Sequence, residues 1–148
     1  MRRCDHERRL QRRSFLQAVS AGLAGATAYR CSDDDPIEPP PNEVREYEGA
    51  VHAYFDDAED FENAAFVGRV YVRQQDWSSS EAYESTERTR EFIDDVDSDS
   101  ETTDELEQRL EQDFADLRVR PVSGWTLSRT ETELCVLAYL VQQADTEE

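Results

Sequence analysis

TTDELEQRLEQDFADL, residues 102 to 117, decides the fold class of this chain. Leu106, Leu110, Phe114 and Leu117 recur at i, i+4, i+8 and i+11, while charged and amide residues fill most positions between them. That period matches one face of an α-helix and not the two-residue alternation of a half-buried strand. Thr102 followed three residues later by Glu105 has the form of a capping box, which would satisfy two free amides at a helix start. The stretch predicts an amphipathic helix with those four apolar side chains in the core.

The same signals extend in both directions. On the C-terminal side, Pro121 stops helix continuation, because its ring removes a donor and clashes with the preceding turn. Residues 119 to 127, VRPVSGWTL, read as a short extended connector with Gly124 at a turn. Ser128 and Glu131 form another capping box, opening a helix that carries Leu134, Leu137, Ala138 and Val141. Trp125 is expected to pack under that helix, with Leu127 entering the core beside it. On the N-terminal side, Ser78 and Glu81 form a third capping box. It predicts a helix over 79–96 with Tyr83, Phe92, Ile93 and Val96 buried. Residues 61–75 carry both a helical stripe and the strand-prone run VYV; helix is preferred because Gln74 and Gln75 continue it without a turn signal. Residues 44–58 again space Val44, Tyr47, Val51, Tyr54 and Phe55 helically. The expected fold is therefore mainly α: a small bundle of about five helices with one short extended connector, spanning residues 44–144. Residues 145–148 are expected to form a disordered tail.

Charge constrains the setting. The chain has 148 residues and a net charge of −19, and all 16 of its basic residues are arginine. Residues 1–31 hold seven Arg against two acids, a net of +5; residues 32–148 hold nine Arg against 33 acids, a net of −24. A body so acidic repels nucleic acid and anionic lipid, so neither is expected as a partner. It also destabilises its own compact state by self-repulsion. Near 1 M salt the Debye length falls to about 3 Å and most of that cost disappears. Salt adaptation accounts for the acid excess, and the apolar-periodic segments argue against a disordered acidic chain.

Residues 1–31 read as a twin-arginine signal peptide. Arg2, Arg3, Arg8, Arg9, Arg12 and Arg13 supply a basic region, and Phe15 to Ala28 supply a soft, small-residue apolar run. Within it, Arg12-Arg13-Ser14-Phe15-Leu16 resembles the twin-arginine export motif, two arginines followed one residue later by Phe-Leu. This resemblance implies passage of an already folded protein through the twin-arginine translocation machinery, and a place at the cell surface or outside it. Cys31, followed by Ser32 and three aspartates, resembles a lipoprotein anchor position, though Arg30 departs from the usual lead-in. Lipidation at Cys31, cleavage upstream and an uncleaved anchor all remain open. Membrane contact is expected only through the signal or such an anchor. Residues 32–43, with Pro36, Pro39, Pro40 and Pro41, read as an acidic, extended tether.

Taken together, the arginine-only basic set, the acid excess and the export motif resemble twin-arginine-signal exported proteins of halophilic archaea. The strings AAFVGRVYV, 64–72, and DFADLRVRPVSGWTLSRTETELCVLAYL, 113–140, are similar to segments of a small-domain family of uncharacterised function. That resemblance implies no activity.

Sequence signals for chemistry are sparse. Asp95, Asp97 and Asp99 match the first three ligand positions of an EF-hand loop, but Ser100 replaces the turn glycine and Leu106 the closing glutamate. A solvated acidic linker is preferred. His52 is the one histidine after the signal; as a general base it would need acids converging with it in one pocket. Cys135, between Leu134 and Val136, is expected to be a buried, inert thiol. Arg129 and Glu131 form a candidate ligand pair, against which stands the capping role of Glu131. Gly124, Trp125, Ser128 and Glu131 are assigned structural roles; no catalytic, metal or cofactor residue is assigned. The expectation is an exported, salt-adapted, non-catalytic accessory or interaction domain that works with another envelope protein. The alternative is a cofactor or metal carrier for extracytoplasmic redox work, supported by the export route alone.

Overall fold

A computed structural model of the chain describes residues 38–96 and 99–146. The export motif Arg12, Arg13, Phe15 and Leu16, Cys31, the first part of the acidic tether and residues 147–148 lie outside the described residues. In chain order the elements are a 3-10 turn Asn42–Tyr47, α1 Glu48–Tyr54, α2 Ala58–Gln75, α3 Ser79–Glu84, α4 Glu87–Asp95, α5 Asp99–Ala115, β1 Val119–Val122, β2 Trp125–Ser128 and α6 Arg129–Thr146. The fold is mainly helical, as the periodicity indicates, and the ambiguous stretch 61–75 lies within a helix.

α6 is the axis of the bundle. Leu134, Cys135, Val136, Leu137, Ala138, Leu140, Val141 and Ala144 are all buried, which leaves this helix apolar on most of its circumference. Full burial of one such leucine stabilises by about 1.5–3 kcal/mol. Its longest partner is α2, which turns Phe61, Ala64, Ala65, Val67, Tyr71 and Val72 inward. Small residues at the crossing let the two backbones approach. At Gly68 an added Cβ would overlap the carbonyl of Cys135 and lie 2.9 Å from the backbone N of Val136. Glycine is thus needed there for space. At the far end of α6, Arg45 donates from Nη2 to the Ala144 carbonyl at 3.0 Å, satisfying one of the helix's terminal acceptors.

Several sequence expectations are corrected by the packing. α5 buries Leu106 and Leu110, but Phe114 is 47% and Leu117 81% exposed. The inward position on the next turn is Asp113, fully buried. Leu117 lies beyond the helix with φ 57° and ends it: Arg118 N donates to Asp113 O and Leu117 N to Phe114 O. That is the paired hydrogen bonding of a Schellman terminus, with leucine where glycine is usual. The helix also starts at Asp99, before Thr102, so Thr102 is inside it and is not its cap. Asp95 closes α4 and Asp99 opens α5, so residues 99–106 are helical, and neither a twelve-residue calcium loop nor the preferred acidic linker over 95–106 is formed.

The expected helix over 79–96 is two helices. Ser78 and Glu81 do form the capping box, with bonds of 3.2 and 2.8 Å. The chain then turns at Ser85 and Thr86. The inward residues are Ser79, Ala82, Thr86 and Thr89, while Tyr83, Phe92, Ile93 and Val96 are half-buried. The expected extended connector is an antiparallel hairpin with Val122 paired to Trp125 and Val119 to Ser128. Its two turn residues, Ser123 (φ 47°) and Gly124 (φ 85°), both have the positive φ that suits a two-residue hairpin. Gly124 meets nothing within 4 Å of an added Cβ, so glycine serves conformation there and not space. Leu127 enters the core as expected, whereas Trp125, at the hairpin tip, is 43% exposed.

The edges of the domain also differ from the sequence reading. Pro40 is buried and the Glu38 carbonyl accepts from Ser79 Oγ at 2.7 Å, so the last residues of the proposed tether lie against the domain. α6 continues to Thr146.

Candidate functional site

The most polar part of the interior surrounds the first turns of α6. Ser128 caps the helix: its Oγ accepts from Glu131 N at 2.9 Å, and Glu131 Oε2 accepts from Ser128 N at 3.4 Å. Within the first turn, Thr130 donates both its amide (2.7 Å) and its hydroxyl (2.6 Å) to Asp113 Oδ2. Arg88 Nη2 donates to the other oxygen of Asp113 at 3.0 Å, and Arg118 Nη1 lies 4.0 Å away. Burial alone would raise the Asp113 carboxyl; the two Thr130 bonds and the Arg88 charge outweigh it and hold the group below its ordinary value. Glu133, also buried, accepts from the Thr89 amide at 3.2 Å, from the Thr89 hydroxyl, and from Arg129 Nε at 2.8 Å. These two carboxylates join α4, α5 and α6; the bonds from Thr89 and Thr130 are buried, and those from Arg88 and Arg129 are partly so.

Beside this network a cleft of about 220 Å³ opens between α2, β1 and α6. Tyr71, Trp77 and Val136 line it with apolar surface; Ser85, Thr132 and Glu133 are polar; Arg120 and Arg129 bring cations. Tyr71 and Trp77 meet edge to face at 5.6 Å, fixing the aromatic wall. Gln74 donates to the Pro121 carbonyl at 3.2 Å and ties the strand to α2. Arg129 is partly neutralised by Glu133. Arg120, on exposed β1, has no acidic partner among the described residues; its one hydrogen bond runs from Nη1 to the Val119 carbonyl at 3.2 Å. The lining thus carries two arginines against one glutamate, in a protein whose net charge is −19. The cleft combines local positive charge with an aromatic wall.

No family model, curated protein or solved structure matches this chain.

The sequence candidates are distributed as follows. Arg129 lines the cleft but pairs with Glu133, and Glu131 serves the cap, so the two do not form a ligand pair. Ser128 is buried in its capping role. Cys135 is buried against the α2 crossing, and burial pushes its thiol well above the ordinary value, as an inert cysteine requires. His52 is exposed and stacks on Phe61 at 4.3 Å, outside the cleft. Arg88, Thr89, Asp113, Thr130 and Glu133 were not singled out by sequence. A faint signal exists for two of them. Asp113 falls three residues after Leu110 on the apolar face of α5, and Glu133 immediately precedes an unbroken apolar run. Among the described residues no helix is long and apolar enough to cross a membrane.

Proposed function

We propose that this protein is an exported, salt-adapted, non-catalytic accessory domain whose arginine-bearing cleft holds an acidic side chain of a partner protein. The observation that carries the reading is Arg120, a cation without an acidic partner among the described residues, at an aromatic-walled cleft of a strongly acidic chain. The carboxylates of the adjoining network, Asp113 and Glu133, are engaged in joining helices, which suits a rigid binding surface.

Glutarate, as a stand-in for a glutamate side chain, tests the cleft. Titrated into the full-length protein, it is expected to shift the backbone NMR signals of Tyr71, Trp77 and Thr132, while neutral glutaramide leaves them in place. Arg120→Ala is expected to weaken glutarate binding several-fold, the size of an exposed charge pair of up to about 1 kcal/mol. Because Arg120 is exposed, the melting temperature should stay within the scatter of a surface change. Equal shifts with both compounds, or undiminished binding by the variant, would rule out the acidic-group reading.

The export part has a separate test. Replacing Arg12 and Arg13 together with lysine is expected to retain the protein inside the cell, because the twin-arginine route distinguishes arginine pairs from simple positive charge. Secretion of that variant at the normal level, followed by immunoblotting of cell and medium fractions, would remove the routing claim.

A further inference from the structure

His52 has a setting that the cleft does not use. Glu48 and His52 stand four residues apart on α1 and so share one helix face. Asp145, in the last turn of α6, joins them: one ligand atom from each of the three lies within 4.8 Å of the others. Among the described residues, none of these three side chains has a hydrogen-bond or ion-pair partner. Two carboxylates and one imidazole are therefore grouped with their donor atoms unengaged among the described residues. The imidazole is steadied by its stacking on Phe61, at 4.3 Å and 27° between planes. The Arg45 bond to Ala144 O fixes the end of α6 next to Asp145. Asp145 also sits at the negative end of an 18-residue helix, where a cation is favoured.

We infer that Glu48, His52 and Asp145 form a surface site for a divalent transition-metal ion of the zinc type. One imidazole nitrogen with two carboxylates is a mixed nitrogen and oxygen donor set, which suits zinc better than the all-oxygen shells of calcium or magnesium. Two carboxylate charges match a divalent ion. Tetrahedral zinc with bonds near 2.0–2.2 Å needs donors roughly 3.4 Å apart. The 4.8 Å limit between the present donors closes to that through side-chain rotation, since His52 and Asp145 are exposed and Glu48 is half-buried. Water would complete the shell. The site is separate from the cleft: Asp145 lies nine residues along α6 from Val136, the cleft residue of that helix nearest to it, about 14 Å at the helical rise.

Calorimetric titration of the metal-free, full-length protein with zinc chloride tests this. The expected result is one saturating zinc per chain above the weak background of an acidic surface. Glu48→Gln, His52→Gln and Asp145→Asn should each weaken that step by at least about tenfold, the smallest loss usual even for an outer-shell partner. His6→Asn, which removes the chain's other histidine, should leave it unchanged. Circular dichroism establishes that each variant keeps its helices. As a second readout, zinc should shift the ring-nitrogen resonances of His52 in the wild-type protein. The inference is overturned if His52→Gln binds zinc as the wild type does, if His6→Asn abolishes the step, or if the His52 nitrogens do not move.

Discussion

Gly68→Ala is expected to lower the melting temperature by more than about 10 °C. The added methyl group would overlap the Cys135 carbonyl and approach the Val136 backbone nitrogen to 2.9 Å. Neither neighbour is a side-chain end that can rotate away; both belong to the backbone of the central helix. Overpacking a core usually costs about 1–3 kcal/mol, because side chains shift to absorb it. Here α2 as a whole must move off α6, opening the contacts of Ala64, Ala65, Val67, Tyr71 and Val72 along it. A cost of about 3 kcal/mol or more follows, and in a domain of this size each kcal/mol corresponds to about 4 °C or more. Thermal unfolding followed by circular dichroism, at one fixed salt concentration, gives the value. A melting temperature within a degree or two of the wild type would mean that the two helices cross farther apart than described.

Asp113→Asn comes second. Asparagine keeps the shape but loses the charge that faces Arg88, and it offers one acceptor oxygen where the carboxylate offers two. Thr130 brings two donors to that position and Arg88 a third. Removing one member of a buried ion pair costs about 3–5 kcal/mol. Arg88 retains 22% exposure, so solvent relieves part of the loss and the lower end, about 3 kcal/mol, is expected. Chemical denaturation at neutral pH checks the magnitude. The pH dependence checks the cause. The folded Asp113 carboxyl is held below its ordinary value, so it binds protons less readily in the folded than in the unfolded chain. Its contribution is fully present above the unfolded pKa, near 4, and is lost as pH falls through the lower folded value. The wild type should therefore lose more stability on acidification below about pH 4 than Asp113→Asn does. Parallel curves for the two proteins in that range would show that the carboxylate charge is not what holds α4, α5 and α6 together.

These two residues mark how far the sequence could be read. The helical class was legible because apolar residues recur every three to four positions, and this follows from local geometry alone. So were the caps at Ser78 and Ser128, since each depends on a partner three residues away. The turn at Gly124 and the burial of Leu127 and Cys135 were equally accessible. Phe114 and Leu117 mark the limit. By period they belong to the core, but the helix ends beneath them, and a Schellman terminus turns Leu117 outward. The split at Ser85 and Thr86 and the exposure of Trp125 likewise depend on what lies opposite, which the local pattern does not record.

The candidate sites were less legible still. Arg120 is an ordinary surface arginine in sequence; only the tertiary fold places it at a cleft walled by a helix some fifty positions earlier and another just after it. His52 has Glu48 within the same helix, a pairing that spacing could suggest, but Asp145 comes from the opposite end of the described chain. Local sequence by itself determined which segments are helical, where two of them begin, and how acidic the surface is, because propensity, capping and charge act over a few residues. Which side chains fill the core, which carboxylates are buried and paired, and which distant residues meet was decided only by tertiary structure. Close packing makes each of those outcomes depend on the backbone of a neighbour far away in the chain, as Gly68 depends on Cys135 and Asp113 on Thr130.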